Sequence, residues 1–132
     1  MEKFRRRVRQ LSGRSWGVSM EVKIKELTQY LRGWMNYYGI AVPYQKSVDL
    51  DQWIRRRMRM CYWKQWRRPR TRVRNFIDLG VSTELAVSCG ASSRGYWHSA
   101  RTEGIQLALN NKWLNEQGLV SLRDIWISLR YG

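Results

Sequence analysis

The sequence predicts an all-α fold, a single helical bundle of about five to six helices, and three observations lead to this prediction. Apolar residues recur at three- and four-residue steps in several segments. Capping residues precede these segments, and glycine or proline follows them. The apolar and polar alternation that is typical of half-buried strands is almost missing. With 132 residues and 43% hydrophobic content, we expect residues 1–132 to form one domain with a modest core.

The first two segments carry helical patterns of different strength. Residues 4–9, PheArgArgArgValArg, are compatible with a helix that completes the bundle or with an arm that follows phosphates, and we favour a helix ending near Leu11 with its arginines outward. The next segment is the clearest helix, because Ser19 is a good cap, Gly39 supplies a stop and Pro43 follows. Its apolar residues at helical spacing are Met20, Ile24, Leu27, Leu31, Trp34 and Tyr38.

A second long helix is predicted from Ser47, as its cap, to about Trp66, since Pro69 forbids continuation. At 100° per residue four of its side chains gather in one quadrant, which we expect to face the core. These are Leu50, Ile54, Met58 and Cys61. Four others point the opposite way, namely Arg55, Arg59, Trp63 and Trp66. We therefore predict an amphipathic helix whose outer face is basic and carries tryptophan.

Shorter helices are predicted in the second half of the chain. Residues 71–79 favour a short helix stopped by Gly80, and Ser82 is expected to begin another turn or two before Gly90. Residues 92–97 are expected to be irregular or weakly helical.

Two further helices are expected towards the end of the sequence. Thr102 is a suitable cap for a helix that ends at Gly118. Ser121 and Asp124 have the spacing of a capping box for the last helix.

The charge of the chain indicates a polyanionic partner. A net charge of +15 and a pI of about 10.7 exceed what solubility requires. An anionic membrane is the alternative to nucleic acid, but no apolar run approaches the roughly 20 residues that span a bilayer. The first residues, MEKFRRRVRQ, also lack the apolar core of a signal peptide. We expect a cytoplasmic protein that binds no membrane.

The charge is concentrated between Gln52 and Ile77, where ten Lys or Arg residues occur without one Asp or Glu. A merely solvated helix would normally intersperse carboxylates among them, so we favour phosphate binding. The predicted contacts are Arg55, Arg56, Arg59, Lys64, Arg67, Arg68, Arg70, Arg72 and Arg74. Arginine suits this role because its planar fork holds a phosphate with two hydrogen bonds. Trp63 and Trp66 join the candidates, with base stacking and core packing equally open.

Catalytic and metal chemistry find little support in the sequence. Cys61 and Cys89 lie 28 residues apart and form no CxxC pair, which argues against a zinc site or a disulfide framework. His98, the single histidine, has no carboxylate among its neighbours in sequence. We predict no catalytic residue, no metal site and no cofactor.

Four stretches, in order, carry a family resemblance. They are YLRGWMNYYGIA (30–41), LDQWIRRRMRMCYWKQWRRPRTR (50–72), GYW (95–97) and LNNKWLNEQGLVSLRD (109–124). Over roughly residues 4–129 the chain resembles the group II intron maturase-specific domain, also called domain X, which forms the thumb of intron-encoded reverse transcriptases. The resemblance implies a thumb-like helical module that binds structured group II intron RNA and assists its folding and splicing.

Two other functions remain open at this stage. The chain resembles the thumb that grips template and primer beside an upstream reverse transcriptase domain. A YADD-type aspartate pair is missing, and Asp49 and Asp51 open the arginine helix instead, so we expect no polymerisation by this chain alone. A helical module that reads double-stranded DNA is the second alternative, although Trp63 would be bulky in the major groove.

Overall fold

The computed structural model describes residues 1–13, 16–66, 69–80, 82, 105–106 and 109–132. These residues form the helices α1 (Glu2–Leu11), α2 (Met20–Tyr38), α3 (Tyr44–Gln65), α4 (Pro69–Asp78), α5 (Asn111–Glu116) and α6 (Leu122–Tyr131), with a 3-10 turn at Gly39–Ala41. No strand occurs within the described ranges. The predicted all-α fold class is confirmed. The predictions for Arg67, Arg68, Cys89, His98 and Thr102 concern residues outside the described ranges, as do those for Gly90 and 92–97.

Helix α1 packs its apolar stripe inward and ends at the predicted residue. Phe4, Val8 and Leu11 are buried, as their spacing of four and three residues requires. Ser12 follows the helix, is fully buried, and donates a hydrogen bond from Oγ to the Val8 carbonyl at 2.6 Å. The prediction of a helix ending near Leu11 is confirmed.

Helix α2 begins at its predicted cap but turns a slightly different face to the core near its end. The Ser19 Oγ accepts a hydrogen bond from the Val22 amide at 3.3 Å. In the last turn Met35 is fully buried, whereas Tyr38 is exposed. Gly39 keeps a right-handed φ of −59°. Close packing favours glycine at this position, because a Cβ on Gly39 would lie 2.6 Å from Cδ1 of Leu129 on α6.

Helix α3 begins four residues before the predicted start. Pro43 is its N-cap residue, and Tyr44 is the first helical residue. Ser47 is buried inside the first turn, where its Oγ donates to the Tyr44 carbonyl at 2.6 Å. The prediction of Ser47 as the cap is wrong, because Pro43 takes the N-cap position and the helix already begins at Tyr44.

The predicted outer face of α3 is wrong at two positions. Arg59 is 8% exposed and Trp63 is 1% exposed. The helical period identifies one buried face, but α3 contacts α1, α4, α5 and α6 on different sides. Much of its circumference is therefore covered, and both side chains lie inside the domain.

Two predicted boundaries are misplaced in the C-terminal half of the described chain, and the first is the start of α4, which lies at Pro69 and not at residue 71. Gly80 and Gly118 have φ values of +90° and +102°, which suit glycine and confirm both predicted stops. A single helix from Thr102 to Gly118 is wrong, however, because a new cap interrupts it. The Asn110 side chain accepts a hydrogen bond from the Trp113 amide at 2.8 Å and begins α5.

Helix α6 lies against both long helices and the turn between them. The Ser121 Oγ accepts a hydrogen bond from the Asp124 amide at 3.3 Å, which confirms Ser121 as the cap. At the other end Arg130 donates to the Ile40 carbonyl at 2.7 Å, and the Trp126 indole donates to the Val42 carbonyl at 2.7 Å. These bonds join the last helix to the turn that follows α2.

Candidate nucleic-acid interface

The predicted phosphate contacts divide into three groups in the structure. Arg70 and Arg74 on α4 are exposed. Partly exposed positions on α3 and just beyond it are Arg55, Arg56, Lys64 and Trp66. Buried positions are Arg59, Trp63 and Arg72. The arginines are thus divided between the surface and the interior, although they are adjacent in sequence.

Arg59 braces the segment that leads into α5. Its Nε donates to the Leu109 carbonyl at 2.7 Å, and its Nη2 donates to Oδ1 of Asn111 at 2.9 Å. Burial, and secondarily the charge of Arg55, lowers the pKa of the Arg59 guanidinium to about 10. The side chain therefore stays charged at neutral pH while its donors are used inside the protein.

Arg72 braces α4 against the end of α3. Its guanidinium carbon lies 4.1 Å from the Trp63 ring centroid, and its Nη2 donates to the Trp63 carbonyl at 3.1 Å. Trp63 also contacts the ring of Phe76 on α4, with centroids 5.2 Å apart. These contacts place Trp63 in the core, where it is 1% exposed.

Trp66 has an intermediate position at the end of α3. It packs against the core, and its ring centroid lies 6.1 Å from that of Tyr62 and 6.3 Å from that of Phe76. The ring is partly exposed, so one portion of it remains in contact with solvent.

Asp51 serves a structural purpose that was not predicted from the sequence. It is 3% exposed and accepts hydrogen bonds from Ser121 Oγ, from the Leu122 amide and from the Arg123 amide at 2.8, 2.7 and 3.0 Å. The carboxylate of α3 thus caps the amino end of α6, where the helix dipole also favours it. An available signal was its position three residues before Ile54, within the core-facing stripe of α3.

Carboxylates of the described residues form three ion pairs with described arginines. Ion pairs join Arg9 to Glu2 at 3.5 Å, Arg55 to Asp51 at 3.7 Å and Arg123 to Asp124 at 3.8 Å. Within the part of the chain that the structure describes, neither Arg70 nor Arg74 pairs with a carboxylate. The exposed side of α4 is therefore a source of positive potential.

A second group of cations was not among the predicted contacts. Arg5 and Arg9 of α1 approach α3 from the side, where they meet Arg57 at the ring of Trp53. The sequence placed the α1 arginines outward, but it held no information about which helix they would meet.

The described residues offer no site for metal chemistry. No three or more His, Cys, Asp or Glu side chains among them are grouped so that they would hold a metal ion. Of the helices that the structure describes, none is long and apolar enough to cross a membrane.

A family comparison matches the region that carries these cations. Residues 1–77 match the family described as "Group II intron, maturase-specific domain". The match extends from α1 through α3 and into α4, so it includes the exposed arginines and both buried ones. No curated protein matches the chain.

Proposed function

Because the chain belongs to the group II intron maturase-specific domain family, as its motifs indicated, we propose that it binds structured group II intron RNA and assists its folding and splicing. A net charge of +15 supports a polyanionic partner of this kind. The proposal places the chain with its RNA in the cytoplasm and requires no cofactor.

The observation that carries the proposal is the exposed basic surface of α4 together with the adjoining part of α3. Arg70 and Arg74 stand one turn apart on a helix, and both are exposed. Arg55, Arg56 and Lys64 contribute further cations that are partly exposed. Phosphate contacts of this type set affinity and register, whereas the shape of the RNA selects the target.

Buried arginines give this surface its rigidity. Arg72 fixes α4 on Trp63, and Arg59 fixes the segment before α5 on α3. Exposed arginines on helices braced in this way have fixed separations, so they favour RNA folds whose phosphates match those separations. Binding energy then shifts the RNA population towards such folds, and this shift is the way in which the chain assists splicing.

The family also supports a related role, in which the chain grips template and primer beside an upstream reverse transcriptase domain. In this role we expect the chain to contribute binding and no polymerisation, because its sequence lacks a YADD-type aspartate pair and the Asp51 carboxylate is occupied at the amino end of α6. We expect no primer extension by this chain with magnesium. Extension activity that copurifies with it through two columns would contradict this expectation.

The deciding experiment titrates the whole chain with a folded group II intron RNA, and separately with duplex DNA, at several salt concentrations. Each phosphate contact contributes roughly 0.7 to 0.9 to the slope of log affinity against log salt. Changing Arg70→Gln and Arg74→Gln should lower that slope by about 1.4 to 1.8. The control pair Lys25→Gln and Arg32→Gln removes equal charge from the exposed side of α2 and should change the slope less.

Two outcomes would overturn the proposal. Equal losses in both pairs of variants would mean that overall charge, and not the α4 surface, attracts the RNA. Tighter binding to duplex DNA than to folded RNA would favour a helical double-stranded DNA-binding module.

A further inference from the structure

Three guanidinium groups from two helices surround one indole ring. The Cζ atoms of Arg5, Arg9 and Arg57 each lie 5.7 Å from the ring centroid of Trp53. Arg5 and Arg9 are one turn apart on α1, and Trp53 and Arg57 are one turn apart on α3. The cluster is therefore formed where these two helices meet.

Hydrogen bonds to the end of α1 hold the base of this cluster. The Arg57 Nε donates to Ser12 Oγ at 2.6 Å, and its Nη2 donates to the Arg9 carbonyl at 3.4 Å. Ser12 is itself fixed, because its Oγ donates to the Val8 carbonyl and its carbonyl accepts from Cys61 Sγ at 3.0 Å. Arg57 is thus oriented by the end of α1 instead of sampling many rotamers.

The charge balance of the cluster favours an anion. Arg5, Arg9 and Arg57 place three positive charges around one ring. Arg9 pairs with Glu2 at 3.5 Å, and the Glu2 side chain is 73% exposed. An exposed pair of this kind contributes little. Trp53 already faces guanidinium groups and is partly buried, so it acts as a platform for the arginines and not as a stacking surface for a base.

We propose that Arg5, Arg9 and Arg57, arranged around Trp53, form a second site for backbone phosphates of RNA, separate from the α4 surface. This inference rests on the proposed function. Guanidinium groups hold phosphate oxygens through paired hydrogen bonds, and three of them in one cluster suit neighbouring phosphates of one strand.

Helix α1 fits an RNA backbone better than an anionic membrane. Its apolar residues Phe4, Val8 and Leu11 are all buried in the core. A helix that binds a bilayer surface inserts an apolar face between the lipids, and α1 has no such face left to offer. Binding to the hydrated phosphates of an RNA strand requires only the cationic side of α1.

The test compares three double variants of the whole chain by the salt dependence of binding to folded group II intron RNA. The variant Arg5→Gln with Arg9→Gln should lower the slope by about 1.4 to 1.8. Lys25→Gln with Arg32→Gln is the charge-matched control, and it should lower the slope by less than half as much. Arg70→Gln with Arg74→Gln reports on the α4 surface, and thermal melting verifies that each variant is folded.

A charge-preserving variant distinguishes loss of phosphate contacts from loss of the fold. Arg5→Lys with Arg9→Lys keeps both charges and loses the paired hydrogen bonds. It should keep the slope of the unmodified chain within about half a unit and bind RNA several-fold more weakly.

The outcomes separate the second site from the proposed function. A normal slope in the Arg5 and Arg9 glutamine variant, with a reduced slope in the Arg70 and Arg74 variant, overturns the second site and leaves the proposed function standing. Equal losses in the control pair also overturn the site. No RNA binding by the unmodified chain overturns both. If that glutamine variant loses binding to anionic lipid vesicles and keeps its RNA binding, the cluster is a membrane site.

Discussion

The carboxylate of Asp51 accepts a hydrogen bond from the Leu122 amide at 2.7 Å, across 71 residues of sequence. A helix usually receives its cap from the residue just before it, and Ser121 does bond the Asp124 amide. Asp51 adds a charged acceptor from a different helix, so the start of α6 is fixed on α3 as well as by its own sequence.

Replacing Asp51 should destabilise the protein strongly. Asp51→Ala removes the acceptor of three hydrogen bonds at a buried helix end, and we expect the free energy of unfolding to fall by about 3 kcal/mol. Urea denaturation measures the change. Asp49→Ala, at an exposed position two residues earlier, is the control and should change it by less than about 0.5 kcal/mol. Similar effects of the two substitutions would contradict the capping role.

Trp63 should behave as a core residue. It is 1% exposed and packs against Phe76, so Trp63→Ala should lower the free energy of unfolding by about 3 to 5 kcal/mol. Tyr37→Ala, at a position that is 80% exposed, should have an effect below about 0.5 kcal/mol. A folded Trp63→Ala variant with unchanged stability and weakened RNA binding would instead indicate base stacking.

Arg59 should matter for stability. Arg59→Gln shortens the side chain and leaves the Leu109 carbonyl without its charged donor, which should cost about 1.5 to 3 kcal/mol in the free energy of unfolding. Arg74→Gln removes an exposed arginine and should be nearly neutral in the same urea assay. If both changes are neutral, Arg59 does not brace the segment before α5.

The Tyr62 phenol should make stability fall at alkaline pH. Burial, then Cys61 and then Glu21, raises its pKa to about 12, whereas the unfolded phenol titrates near 10. Between these values the folded state keeps a proton that the unfolded state loses. The stabilising contribution is therefore complete below about pH 10 and is lost as the pH rises to about 12.

Tyr62→Phe isolates this contribution because phenylalanine cannot titrate. Between pH 9.5 and about 11.5, the free energy of unfolding of the unmodified chain should fall by about 1 to 2 kcal/mol relative to that of Tyr62→Phe. Urea denaturation at both pH values measures it. A difference that stays constant would show that the phenol titrates normally in the fold.

Local signals in the sequence predicted the helix ends better than the surface. Ser19, Gly80 and Ser121 act as expected because a cap or a glycine stop depends on its immediate neighbours. The predicted positions of Arg59 and Trp63 were wrong because the period of one helix does not determine how many other helices pack against it. Their partners, Asn111 and Phe76, lie 52 and 13 residues away in the sequence, where no local pattern connects them.

The position of α6 between α2 and α3 sets the order in which the domain is completed. Its contacts reach Asp51 and Ile40 across 71 and 90 residues, so they close a long loop. Closing this loop costs chain entropy before the contacts stabilise the fold. During synthesis on the ribosome, α1 to α3 emerge well before their last partner does. Until residues 122–131 leave the exit tunnel, Asp51 has no helix end to cap, and the side of α3 that α6 covers stays uncovered in a partly assembled domain.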